Sequence, residues 1–191
     1  LAYKSFLLLV TGFFVCGFHV AFITAHMPAF LSDIGFDPKV GAWSISIIGL
    51  CNVFGAYLSG IISSKLLKRY VLVFIYLSRA VTITLFLLIP ISLVSVVVFS
   101  AVMGFLWLAT VPATSGLVAV MFGTRYMAML YGVVFLGHLI GSFIGVWLGG
   151  WLYDRGGGYE PVWWLGVALG IIAAIIHWPI KEEPVAGAIT G

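Results

Sequence analysis

The chain has 191 residues, 63% hydrophobic and 8% charged, with a formal net charge of +3 and a mean hydropathy of +1.22. A soluble domain is about a quarter charged, so this composition excludes one and makes lipid the solvent for most of the surface. The nine Lys and Arg are scattered rather than clustered, which speaks for membrane topology and against nucleic-acid binding.

A bilayer core of about 30 Å takes about 20 apolar residues per helix. That ruler predicts six transmembrane spans, at residues 5–31, 41–63, 70–90, 93–121, 126–150 and 162–180. The runs are too long and too uniformly apolar for the alternating strands of a barrel. The fold class is therefore an all-α membrane protein, a single six-helix transmembrane bundle over residues 1–191.

In the first span, Gly12 and Gly17 offer places for close helix packing, His19 lies near mid-depth, and His26 near the outer end reads as an interface or gate residue. Cys16 there and Cys51 in the second span lie 35 residues apart with no CxxC context and read as buried structural thiols. The second span carries Asn52, about central, with Gly55, Gly60, Ala56 and Ser59 as a small-residue patch. It leads to a basic loop containing Lys65, Lys68 and Arg69. In the third span, Arg79 lies nine residues from the entrance, at a depth of ~14 Å for a rise of 1.5 Å per residue. The fourth holds Pro112 within ATVPATSG, a kink whose freed carbonyls Thr110, Thr114 and Ser115 could satisfy.

The fifth span places Gly137, Gly141, Gly145 and Gly149 on one face, with His138 beside them. Each Gly in a water-exposed helix would cost about 1 kcal/mol relative to Ala. In lipid, helices associate by close backbone packing, and a glycine groove makes that possible. Static packing and a surface on which helices slide are both open readings. Three consecutive glycines, 156–158, form a flexible turn before the sixth span, and Trp151, Tyr153, Tyr159, Trp163 and Trp164 read as an interfacial belt.

With six spans both termini share a side. Lys4, Lys65, Lys68, Arg69, Arg125 and Lys181 fall on it, against Lys39 and Arg155 opposite. The excess of positive charge puts both termini in the cytoplasm.

Ionisable groups at mid-membrane are functional suspects. Arg79, His138, Asn52 and His19 come from four different spans at similar depth, and no Asp or Glu lies inside any span. Arg79 either meets a bound anion, for which its planar fork suits a carboxylate, or bonds backbone carbonyls and snorkels. The histidines either satisfy local hydrogen bonds or carry a proton that moves with a substrate. No Walker loop, HExxH, GxSxG or dinucleotide fingerprint is present. No enzyme activity, cofactor or metal site is expected.

Three stretches together resemble the C-terminal half of a major facilitator superfamily transporter. GFFVCGFHVAFITAHMPAFLSDIG (12–35) is similar to helix seven and the following loop of bacterial members near the monocarboxylate and oxalate/formate branch. NVFGAYLSGIISSKLLKRY (52–70) resembles the Gly-x-Leu-x-Asp loop region between helices eight and nine. GSFIGVWLGGWLYDRGGGY (141–159) resembles the Gly-rich eleventh helix. The resemblance implies helices seven to twelve of a twelve-helix body that works by rocking its halves, with a cavity lined by the first, second, fourth and fifth spans. It makes the third span, with Arg79, a supporting helix. Two departures stand out: Ser63, Ser64 and Lys65 occupy the region of the loop Asp, and the second span carries no Arg.

The expected function is secondary transport of a small organic anion such as a monocarboxylate, by alternating access, with proton coupling an option. The setting would be a bacterial inner membrane. The expected partners are membrane lipid and a missing N-terminal six-helix half, or a second copy or subunit; the Leu1 start favours a fragment of something longer. The alternative is a non-transporting membrane subunit that uses the same scaffold for assembly.

Overall fold

A computed structural model describes residues 2–185. Its helices are α1 (Ala2–Asp33), α2 (Pro38–Lys65), α3 (Lys68–Leu88), α4 (Leu93–Leu106), α5 (Thr110–Phe122), α6 (Met127–Leu152) and α7 (Glu160–His177). Six segments are long and apolar enough to cross a membrane, with α4 and α5 forming one of them, Leu93–Phe122, between them. The six segments are Lys4–Asp33, Pro38–Lys65, Lys68–Leu88, Leu93–Phe122, Met127–Gly157 and Glu160–His177.

Local chemistry sets the boundaries. Asp37 caps α2 by accepting from the Lys39 amide at 2.8 Å, with Pro38 at the first helical position. Ser92 and Ser95 cap α4 reciprocally, which lets Pro90, Ile91 and Ser92 reverse the chain in almost no length. The glycine-rich turn after α6 is a single wide turn over 153–157, with positive φ at Gly156 (77°) and Gly158 (62°). An L-residue would be strained at either position.

The α1 helix is the centre of the bundle, packed on α6, α7 and α2, while α3 packs on α7, α5 and α4, and α2 on α4. Buried apolar side chains form two clusters stacked along the bundle axis. One contains Phe6, Leu9, Phe13, Leu72, Tyr76, Leu117 and Met121. The other contains Phe18, Phe22, Met27, Ile83, Phe86, Phe99 and Trp163. Between them, at the level of Cys16–His19 on α1, Arg79 on α3 and the α4–α5 junction, lies a polar layer.

Two expectations need correction here. Tyr159 and Trp163 do not belong to a lipid-facing belt: Trp163 is 1% exposed and lies edge-on to Phe22 at 5.0 Å. The turn folds them back over α1, where they close the second cluster. Gly60 is not part of the α2 packing patch, since a Cβ there would meet nothing, whereas one on Gly55 would strike the Phe105 backbone. Position 60 lies five residues on, off the face that Gly55 and Ser59 share.

Candidate functional site

The fourth span is broken at residues 107–109, and the break can be followed one hydrogen bond at a time. Pro112 has no N–H for the Leu108 carbonyl four residues earlier. That carbonyl accepts instead from the Val111 N–H at 2.9 Å. In an unbroken helix Val111 would have reached Trp107, so the Trp107 carbonyl is released. Upstream, the Trp107 N–H turns to the Gly104 carbonyl at 3.0 Å. Leu108 would otherwise have used that acceptor, so its N–H is released as well. Unpaired backbone groups at this depth have no water to turn to and cost several kcal/mol each.

Three side chains from two other spans take them up. Arg79 donates from Nη2 to the carbonyls of Leu106 (2.7 Å) and Trp107, and more weakly from Nε to Leu106 (3.3 Å). Asn52 Oδ1 accepts from the Leu108 N–H at 3.0 Å. The Ser59 hydroxyl donates to the Ala109 carbonyl. On the far side, Thr110 and the Cys16 sulfur are hydrogen-bonded at 3.2 Å, tying α1 to the start of α5.

Arg79 is completely buried, with its guanidinium 5.5 Å from the Tyr76 ring centre. It does not snorkel. Its Nη1 has no hydrogen-bond partner among the described residues. No carboxylate faces it, because α3 and the helices packed on it carry none at this depth.

Of the four mid-depth groups, Arg79 and Asn52 therefore meet at one place. His19 does not join them: its Nε2–H donates to the Gly166 carbonyl of α7 at 2.8 Å, which leaves Nδ1 without a partner among the described residues. His138, on α6, is flanked by Phe13 and Phe135 with ring centres 5.0 and 5.1 Å away, and its Nδ1 also has no partner among the described residues. His26, near the end of α1, bonds the Val146 carbonyl of α6 at 3.0 Å. The hydroxyls beside Pro112 do not repair the break: Thr114 has no partner among the described residues and Ser115 donates to Pro112 itself at 3.2 Å. They lie downstream of the gap, which opens toward residues 106–109.

The glycine face of α6 is the α1 interface. A Cβ on Gly141 would run into the Phe14 carbonyl, one on Gly145 would lie 2.7 Å from the Phe18 carbonyl oxygen, and one on Gly137 3.0 Å from Val10. Gly149 makes room for His26. Gly17 reciprocates from α1 against the His138 backbone. At Gly17, Gly141 and Gly145 backbone meets backbone.

The basic loop is fastened as well. Glu182, beyond α7, accepts from the Arg69 amide at 2.8 Å and lies 4.0 Å from the Lys68 ammonium. Arg69 Nη1 donates to the Ile180 carbonyl at 3.0 Å. An acid from the chain's end thus meets the basic residues of a loop that lacks its own Asp. Ser59 and Glu182 are the two contributors that sequence reasoning missed. The sequence marks Ser59 only by its small size, and nothing in it links Glu182 to a loop 113 residues away.

Comparison with known proteins places this arrangement. The chain is 27% identical over 157 residues to a protein of Bacillus subtilis (strain 168) named an uncharacterized MFS-type transporter, YcxA; the match covers 80% of this chain and 38% of that protein's length. The model of the Major Facilitator Superfamily matches residues 5–191. With six spans and a family match over nearly its whole length, the chain belongs to the Major Facilitator Superfamily.

Proposed function

We propose that the chain forms one half of a secondary transporter that carries a small organic anion by alternating access, with a second six-helix half or a second subunit completing the site. The observation that carries the anion is the buried guanidinium of Arg79, set in a layer whose helices hold no carboxylate and with Nη1 unpartnered. In a low-dielectric layer a lone fixed charge acts over a longer range than in water. A substrate carboxylate would supply the missing countercharge.

In this reading Arg79 is a positioning residue, since its other donors hold the broken span. Asn52, half-buried on α2, and His138 on α6 are the groups proposed to touch substrate. A proton could accompany it on the imidazole of His138, whose Nδ1 has no competing bond among the described residues. The tight α1–α6 contact supports a body that moves as a unit against its partner half rather than helices that slide within it. α2 and α6 keep the most apolar surface uncovered, including Leu50, Phe54, Leu139 and Phe143, and are the faces available to that partner.

The test is uptake of monocarboxylates such as lactate and formate into vesicles by the protein in its native assembly. Asn52→Asp keeps an oxygen for the Leu108 N–H but sets a negative charge against an anion. Together with His138→Gln it should lower uptake at least tenfold. Uptake unchanged by the pair removes the proposed site. Stoichiometric co-purification with other membrane proteins, without stabilisation by any anion, would favour the assembly-subunit reading instead.

A further inference from the structure

A crevice of about 370 Å³ lies between α2, α3 and the α4–α5 span. Its walls are apolar almost throughout, formed among others by Leu58, Ile62, Phe74 and Phe105. Leu58, Phe74 and Phe105 are also partly exposed on the outer surface, at 41%, 67% and 40%, so the crevice opens toward the membrane. Apolar walls left facing a gap lose the dispersion contacts that a filling group would make.

One end of the crevice reaches Ser59 and Ala109, beside the broken span, and the other is formed by Leu66 and Tyr70. The second end is where the positive charge lies. Lys65 precedes Leu66, is exposed, and has no acidic partner among the described residues. Arg69 holds its guanidinium 4.6 Å from the Tyr70 ring centre, with Nη1 on the Ile180 carbonyl, Nη2 on the Tyr70 hydroxyl at 3.2 Å and a buried Nε that has no partner among the described residues. Lys68 is already paired with Glu182.

A second crevice, about 410 Å³ between α3 and α4, is equally apolar and is lined by Leu85, Ile89 and Val98. The stretch that lines it contains no charged residue at all between Arg79 and Arg125. Two similar apolar gaps therefore differ in the charge at the mouth.

We propose that the α2–α3 crevice binds an anionic phospholipid, one acyl chain lying along Leu58, Ile62 and Phe74 and the phosphate resting between Lys65 and Arg69. The charge at the mouth makes the site selective by head group. The α3–α4 crevice takes acyl chains without that selectivity.

The test uses the protein in its native assembly, placed in nanodiscs of phosphatidylcholine containing either phosphatidylglycerol or phosphatidylethanolamine. Native mass spectrometry and thermal unfolding are the readouts. Phosphatidylglycerol should be retained preferentially and raise the unfolding midpoint. Lys65→Gln and Arg69→Gln should each weaken retention about fivefold, the effect of one basic residue near an anionic surface. Leu58→Trp, which fills the crevice and leaves the charges in place, should also weaken it, while Val98→Trp in the other crevice should not. A photoreactive benzoylphenylalanine in place of Phe74 should label phosphatidylglycerol. Equal retention of the two lipids, retention indifferent to Leu58→Trp, or a label on another protein segment would overturn the proposal.

Discussion

The α1–α6 contact and the α4–α5 break lie at the same depth and are held together by opposite means. Along α6, four glycines present no side chain of their own, so at Gly141 and Gly145 the backbones touch and dispersion does the work. At the break, the backbone is opened and three polar side chains fill the gaps left in its hydrogen bonding. The first device tolerates no added atom; the second tolerates no missing donor or acceptor. One region is specified by what is absent from it, the other by what is present.

The two devices should fail differently, and the largest effect belongs to the glycine contact. Gly141→Leu drives a side chain into the Phe14 carbonyl and should prevent accumulation of folded protein, as read by monodisperse elution in detergent. Gly150→Ala, where a Cβ meets nothing, should elute like the parent. Equal behaviour of the two would dissolve the contrast.

Next comes Arg79→Met, which leaves the Leu106 and Trp107 carbonyls without their donor. The expected loss is about 2–4 kcal/mol, in the range of charge-assisted bonds to buried acceptors, measured by unfolding in mixed micelles. Arg79→Lys should recover only part of it, because an ammonium lacks the planar fork. Full recovery by lysine would show that charge, rather than geometry, holds the break.

Asn52→Leu orphans one N–H and should cost about 1–2 kcal/mol, with Asn52→Asp closer to the parent because it keeps the acceptor. Ser59→Ala should have the smallest effect, about 0.6 kcal/mol, the average for a hydrogen bond between helices in a membrane. A reversal of this order would mean that α2, rather than α3, carries the break.

The glycine contact was legible in the sequence because a four-residue spacing maps directly onto one helix face. The break was half legible. Pro112 announced a kink, but a proline acts on the carbonyl four residues before it, so the opening lies upstream of the hydroxyls that stood ready around it. Arg79 was legible as an anomaly and not as a partner. Of its two open readings, an anion or backbone carbonyls, the second describes Nε and Nη2, and Nη1 is left without a partner among the described residues. Equal depth suggested that His19 and His138 would join it, yet depth fixes only one coordinate. The rotation of each helix sent His19 to α7 and His138 to the aromatic rings beside α1.

The sequence by itself determined that the chain lives in lipid, how many times it crosses, where the turns fall and which helix face could approach another most closely. These follow from local length, hydropathy and periodicity, and need no knowledge of neighbours. Only the tertiary structure decided which neighbour each polar group serves. Hydrogen bonds in a membrane are satisfied between spans far apart in sequence, and pairing Arg79 with Leu106 or Arg69 with Glu182 requires the helices to be placed first.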